Sequence, residues 1–300
     1  MKTRELEWYD LFHTRGTRRD FVRLTGAVTG LVGLGVLPAC RADRRWLSAN
    51  PFTLGVASGD PSPDGVVLWS RLARSALEVV GAVDEDIGVA WEIADDEGFR
   101  QITQSGYSTA VPQLGHSIHV EVTGLEPGRE YFYRMTTGGQ ESPVGRTKTA
   151  PALDAPVDRF RFAFASCQHY EHGFFTAYEH MAKEDLDLVV HLGDYIYEYE
   201  SRQPGVRKHL GPEITTLDHY RNRLAQYRTD PHLQAMHARC PWLVTWDDHE
   251  FDNDYATFHS EEPGVKAVEF MKRRANAYQA GRRDGVRVER RGDRLVLPGV

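Results

Sequence analysis

The 300-residue chain has few cysteines, no excess of basic residues and no long apolar run. Its three cysteines, Cys40, Cys167 and Cys240, are odd in number and widely spaced, which makes a poor disulfide framework. Against 43 Asp+Glu stand 36 Lys+Arg, a formal charge of -7 that removes the electrostatic case for nucleic-acid binding. The same charge does not exclude phosphate substrates, because bound cations can supply positive charge locally. The apolar run from Leu24 to Leu37 is too short to span a membrane and is diluted by Gly26, Gly30, Gly33 and Gly35. The hydrophobic fraction of 41% and charged fraction of 26% are those of an ordinary globular protein with a sizeable core, and the length allows two domains.

What the chain has is a set of short strand-like segments that end in metal-capable side chains. Leu188 to Leu192 is apolar and β-branched, and it stops at Gly193, which predicts a buried strand rather than a helix. Asp194 follows just past its carboxyl end, the edge at which open α/β sheets gather ligands. Gly193 lets the backbone turn that carboxylate into a crevice. Phe160 to Ala165 alternates like a strand and ends in Ser166-Cys167-Gln168-His169, and Pro241 to Thr245 leads into Trp246-Asp247-Asp248-His249-Glu250. A single aspartate in such a place is as readily a turn cap as a ligand, but three strand ends of this kind argue for one site.

Residues 1–45 read as a targeting segment. Thr17-Arg18-Arg19-Asp20-Phe21-Val22-Arg23 resembles the twin-arginine export signal, so the export machinery is an expected partner and the periplasm, cell envelope or exterior the expected location. Cys40 follows Leu37-Pro38-Ala39, which partly resembles a lipoprotein box and makes Cys40 a candidate for membrane anchoring; Pro38 is unusual there, and cleavage nearby is the simpler reading. Residues 50–150 read as a β-sandwich, with strands expected at Thr53–Ala57, Gly65–Arg71, Ile87–Ala94, Ser117–Val122 and Tyr131–Thr137 and a dense turn cluster at Asp60–Gly65. Leu125 to Tyr133 resembles the turn and aromatic strand found late in fibronectin type III-like domains, and His116 and His119 read as surface or core residues. Thr149 to Asp158 is the expected linker. From 158 to 280 strands alternate with helical stretches at Phe174–Glu184, Leu217–Gln226, Pro231–Arg239 and Val265–Gln279, the pattern of a layered α/β domain. Residues 281–300 are rich in arginine and glycine and hold no element that would complete a domain.

The donor types at the strand ends bear on which ions fit. Asp194 can bridge two cations, Asp248 can bind one of them, and Tyr197, in competition with Tyr195, can add a phenolate. Thiolate from Cys167 with a phenolate favours Fe(III), whereas calcium or magnesium prefers carboxylates and carbonyls. A bound ion supplies hydroxide near neutral pH, and a second steadies the attacking and leaving oxygens. His249, beside Asp248, is placed to hydrogen-bond a phosphoryl oxygen or protonate a leaving group. Each residue also has a plain structural role open to it: Cys167 and Cys240 as small buried residues, Asp247 and Glu250 as loop supports, Asp252 and Asp254 as solvated or supporting groups. No spacing among His169, His172 and His191 makes a ligand set.

Four stretches make the chain similar to the alkaline phosphatase D (PhoD-like) family of metallophosphoesterases. They are N-P-F-T-L-G-V-A-S-G-D-P-S-P-D-G-V-V-L-W-S-R-L from Asn50, F-A-S-C-Q from Phe164, H-L-G-D-Y-I-Y-E from His191 and W-D-D-H-E-F-D-N-D from Trp246. The resemblance implies a β-sandwich followed by a four-layer α/β/β/α phosphoesterase domain. It also implies hydrolysis of phosphomonoesters and phosphodiesters, small or polymeric, with Fe(III) and calcium (Ca2+). By position, it makes Cys167 and Tyr197 iron ligands and Asp194 the bridge between iron and calcium. Asp248 stands where the family usually has a metal-binding asparagine, and His249 is the substrate-facing catalytic histidine.

Members of the family are longer, and the second half of their phosphoesterase domain supplies further ligands. The expectation is therefore a domain truncated near residue 280, with a frameshifted tail and part of a metal site. The alternative is a non-catalytic exported protein, a remnant that binds a cell-envelope partner. A purple acid phosphatase-like enzyme would carry G-N-H where this chain has Asp247-Asp248-His249, and a Ser-His-Asp hydrolase would need a G-x-S-x-G elbow that the chain does not contain.

Overall fold

The computed structural model describes residues 49–73, 84–201 and 205–284, together with the backbone of 289–291 and 294–296. The expected export segment at 1–45, Cys40 within it and half of the 281–300 tail lie outside these described residues.

Alternating apolar side chains build the first half. In chain order come β1 (Val56–Ser62), β2 (Gly65–Arg71), β3 (Ile87–Ala94), β4 (Ile102–Ala110), β5 (Ser117–Thr123), β6 (Glu130–Thr137), β7 (Gln140–Glu141) and β8 (Gly145–Lys148). Strands β5, β2 and β1 pair side by side, as do β4, β3, β6 and β7, with β8 also on β6. Val56, Leu68, Ile118 and Val120 from the first set share one core with Val89, Ile93, Tyr131, Tyr133 and Met135 from the second. Two apolar sheet faces closed on each other in this way are what makes the half stable.

Three local expectations change. Thr53 and Leu54 form a turn, not a strand, because Gly55 sits at φ 71° and donates its N–H to the Phe52 carbonyl at 3.0 Å. The dense turn cluster contracts to Pro63-Asp64, and β1 runs on to Ser62 with an irregularity after Gly59. Strand β4 is polar and largely exposed, so it carries no apolar alternation; its pairing with β3 from Ile87↔Ala110 to Ala94↔Ile102 makes it a strand.

The second half alternates β9 (Phe162–Ala165), α1 (Thr176–Met181), β10 (Leu188–His191), α2 (Leu217–Tyr227), α3 (Pro231–His237), β11 (Trp242–Val244) and α4 (Ala267–Asp284). Helix starts follow capping chemistry. Thr216 accepts the His219 N–H at 3.3 Å to open α2, and Asp230 accepts those of His232 and Leu233 at 2.9 and 3.1 Å to open α3, with Pro231 as its first residue. The helix expected to end at Gln279 runs on to Asp284, and Gly281 is needed there, since a Cβ would meet Trp246 Cζ2 at 2.1 Å. The tail adds a backbone hairpin, β12 (Glu289–Arg291) with β13 (Arg294–Val296), that joins neither larger sheet.

The two halves share a sheet, which the linker reading did not foresee. Strands β9, β10 and β11 are parallel, and β11 also pairs in parallel with β1 through Gly59↔Trp242, giving the order β5-β2-β1-β11-β10-β9. On one face Ala163, Ala165, Val189, Trp242 and Val244 pack with Tyr178, Leu233, Met236 and Tyr220 from the helices. On the other face, Phe162 and Phe164 of edge strand β9 stay 56% and 67% exposed, and Leu188, Val190 and Leu243 share that face by register.

Asp187, just before β10, ties the halves together. Its carboxylate accepts the Arg161 N–H at 2.8 Å and pairs with Lys148 at the end of β8. Burial disfavours its charge, but these partners outweigh burial and hold its pKa below the usual aspartate value. A depressed folded-state pKa contributes stability that is present above the unfolded-state value and lost as pH falls through the folded one. Asp187→Asn is expected to lower the unfolding free energy by about 1–2 kcal/mol near neutral pH. The gap from the parent chain should close below about pH 4. Urea denaturation at neutral and acid pH checks both.

Candidate metal centre

Parallel pairing brings the carboxyl ends of β9, β10 and β11 to one edge, with Ala165, His191 and Val244 in line. The loops beyond are stitched by main-chain hydrogen bonds: Cys167 N–H to the Gly193 carbonyl at 3.1 Å, Gln168 N–H to that of Asp194 at 3.2 Å and Thr245 N–H to that of His191 at 2.9 Å. Both Cys167 and Asp194 stand in the left-handed region, each with φ 55°. That conformation is costly for a residue with a Cβ and tends to gather at functional sites. Gly193, at φ 111°, allows the loops to close, since a Cβ would come within 2.6 Å of Asp247 Cβ.

Glu250 holds this geometry from beneath. It is 5% exposed, and its carboxylate accepts the N–H groups of Asp194 at 3.1 Å, Tyr195 at 2.5 Å and Asp247 at 2.7 Å. Burial pushes its pKa up to about 7 against the pull of those three donors. Of the two residues left open as loop supports, Glu250 does this, and Asp247 contributes its N–H to the same carboxylate.

Above it lie the sequence candidates. Asp194, Asp248 and His249 bring one potential ligand atom each within 4.8 Å of one another, a set that can hold a metal ion. Asp194 is 6% exposed; its Oδ2 accepts the Tyr197 hydroxyl at 3.0 Å, while its Oδ1 is buried with no hydrogen-bond partner. An orphaned buried carboxylate oxygen is what a missing cation leaves behind, so the donor set fits a metal. Tyr197 is the tyrosine on Asp194, whereas Tyr195 turns away to hydrogen-bond His237 Nε2 at 2.9 Å. Burial first, then the Asp194 charge, pushes the Tyr197 pKa up, so a phenolate requires a cation beside it. Asp248 Oδ2 accepts the Asp254 N–H at 2.7 Å; burial opposes its charge, but this bond and the His249 charge prevail and lower its pKa. Cys167 is exposed on the same edge, near enough for its charge to act on Tyr197 but outside the 4.8 Å set.

His249 is held by a residue that the sequence reading did not assign. Its Nδ1 lies 2.9 Å from Glu198 Oε2, and Glu198, only 1% exposed, also accepts the Asn253 N–H at 2.8 Å. Burial disfavours a charged ring, but the Glu198 carboxylate outweighs it and raises the His249 pKa. The signal for Glu198 lay in H-L-G-D-Y-I-Y-E, where it is the acidic residue four positions after Asp194 in an otherwise aromatic and apolar run. His169, which no spacing singled out, stacks on His172 with ring centroids 3.9 Å apart, meets the Tyr197 ring at a tilt at 4.2 Å and borders the site. His191 is fully buried, and Asp252, expected to be solvated or supporting, is 2% exposed.

Strand-end carboxylates, a neighbouring histidine and a paired tyrosine at the carboxyl edge of a parallel sheet make a site that could hold a metal ion. The PhoD-like phosphatase model matches residues 162–281, and the model of the PhoD-like phosphatase N-terminal domain matches residues 39–151. The chain is 53% identical to alkaline phosphatase D of Bacillus subtilis (strain 168) over 273 residues, 88% of this chain and 47% of that protein. It superposes on a solved structure of PhoD with a TM-score of 0.78 at 53% identity, covering 83% of this chain and 49% of the other. The chain belongs to the PhoD-like phosphatase family, and it spans about half the length of these relatives.

Glu250→Gln would set an amide donor against N–H donors. It is expected to destabilise the protein by about 2–4 kcal/mol and to displace Asp194. Thermal unfolding and metal-binding titration of the variant check this.

Proposed function

We propose that the chain is a metal-dependent phosphatase and phosphodiesterase, exported by the twin-arginine route to the periplasm, cell envelope or exterior. In this reading residues 50–150 are a fibronectin type III-like sandwich and 158–280 belong to a four-layer α/β/β/α phosphoesterase domain. The observation that carries the catalytic reading is the orphaned Asp194 Oδ1 within the Asp194, Asp248 and His249 cluster. The family match and the arginine pair at Arg18-Arg19 support the rest. Among the described residues, no helix is long and apolar enough to cross a membrane.

Cys167, Tyr197 and Asp194 would hold Fe(III), and Asp194 and Asp248 would hold Ca2+. When bound, such ions supply Lewis acidity that activates water and offsets phosphoryl charge. The chain's own part in the reaction is proton handling and positioning. Glu198 on Nδ1 orients the His249 ring and leaves Nε2 to face the substrate. As water adds to phosphorus and loses a proton to solvent, the ester P–O bond breaks and a protonated His249 gives its Nε2 proton to the leaving oxygen; the Glu198 carboxylate favours that protonated ring. Glu250 keeps Asp194 in its left-handed turn throughout.

The test is metal content and turnover of bis(p-nitrophenyl) phosphate at alkaline pH. The parent chain is expected to bind metal and turn over, and Asp194→Ala to lose both. His249→Ala should keep the metal while kcat for an alkyl phosphate ester, whose leaving oxygen needs the proton, falls about 10²- to 10⁴-fold. A folded, metal-free chain without turnover would overturn the reading in favour of a non-catalytic envelope-binding protein.

A further inference from the structure

A second group of carboxylates adjoins His249; one member, Glu198, orients that histidine, and the other two take no part in the reaction above. Glu198, Asp252 and Glu261 bring one oxygen each within 4.8 Å of the others. Glu198 and Asp252 are 1% and 2% exposed, while Glu261 opens to solvent. Three carboxylates this close, two of them buried, repel one another strongly unless a positive charge or a proton lies between them.

The His249 ring lies on Glu198 at 2.9 Å, but among the described residues no cationic side chain forms an ion pair with Asp252 or Glu261. Arg273, whose charge reaches Asp252, is held by Glu213 at 3.2 Å and Glu262 at 3.4 Å. Asp252 Oδ2 is buried with no hydrogen-bond partner. The other two carboxylates are fixed in place: Asn253 gives its main-chain N–H to Glu198 Oε1 at 2.8 Å and its side-chain amide to Glu261, and the Tyr199 hydroxyl bonds Glu261 Oε1 at 3.2 Å. The group is thus an ordered, all-oxygen cradle with an orphaned acceptor at its buried end and water access at the other.

We propose that Glu198, Asp252 and Glu261 bind a hard divalent cation of the calcium class at a site distinct from the Asp194 cluster. Calcium takes oxygen ligands in flexible geometry and completes its shell with water, which the exposed side of Glu261 admits. With no thiolate or imidazole required of it, the cradle selects against softer ions. Its cation would pin the loop from Asp252 to Glu261 onto Glu198, the residue that orients His249.

The test uses the full chain, stripped with chelator and titrated with terbium(III), a luminescent substitute for calcium. Tyr199, bonded to Glu261, is a sensitiser at the site. Tyrosine-sensitised terbium emission that calcium displaces is expected in the parent chain and in Asp194→Ala alike, with binding weakened at least about tenfold in Glu261→Gln. Calcium should raise the melting temperature of the parent chain but not of Asp252→Asn. Loss of the emission in Asp194→Ala, identical titrations for Glu261→Gln and the parent, or an equal calcium-induced rise in Asp252→Asn would each overturn the proposal. Because the Asp194→Ala arm removes the first cluster, its outcome is independent of whether that cluster binds metal.

Discussion

The buried carboxylate of Glu250 is the interaction on which the site depends. It gathers N–H groups from the loop after β10 and the loop after β11, so one anion sets the distance between Asp194 and Asp248. Charge-assisted hydrogen bonds of this kind are strong enough to offset the unfavourable left-handed backbone at Asp194. Without such a clamp, the like charges of Asp194 and Asp248 would drive the loops apart.

The sheet supplies the rest of the rigidity. β11, which ends in the Asp248-His249 loop, is flanked by β10 on one side and β1 on the other. The first half of the chain therefore buttresses the site strand directly rather than hanging from a linker. Buried guanidinium groups reinforce the junction: Arg71 bonds the Gly115 and Arg221 carbonyls at 2.9 Å each, and Arg146 reaches the carbonyls of Leu186 and Arg239. Each satisfies main-chain acceptors that would otherwise be buried without a donor.

Strands with their own alternation, such as β3 and β6, were legible in the sequence to within a residue, and so were the strand ends that carry Cys167, Asp194 and Asp248. What escaped was set by partners distant in the chain. β4 is a strand because β3 pairs with it, and β1 joins β11 across 183 positions of sequence at Gly59↔Trp242. The sequence offered Tyr197 in competition with Tyr195, and the backbone turns after Asp194 put the Tyr197 hydroxyl on that carboxylate and the Tyr195 hydroxyl on His237. Glu250 was open to reading as a loop support, but its three N–H partners, like the hold of Glu198 on His249, arise from burial, and burial is a property of the assembled fold.

We propose that Cys167, Asp194 and Tyr197, with Asp248 beside them, would hold Fe(III). The most direct measurement is the visible absorption spectrum of the Fe(III)-loaded protein, where thiolate and phenolate ligands give charge-transfer bands. A visible band is expected that weakens in Tyr197→Phe and in Cys167→Ser and is lost when both are replaced. An iron-loaded protein without such a band, or one whose band survives both replacements, would contradict it.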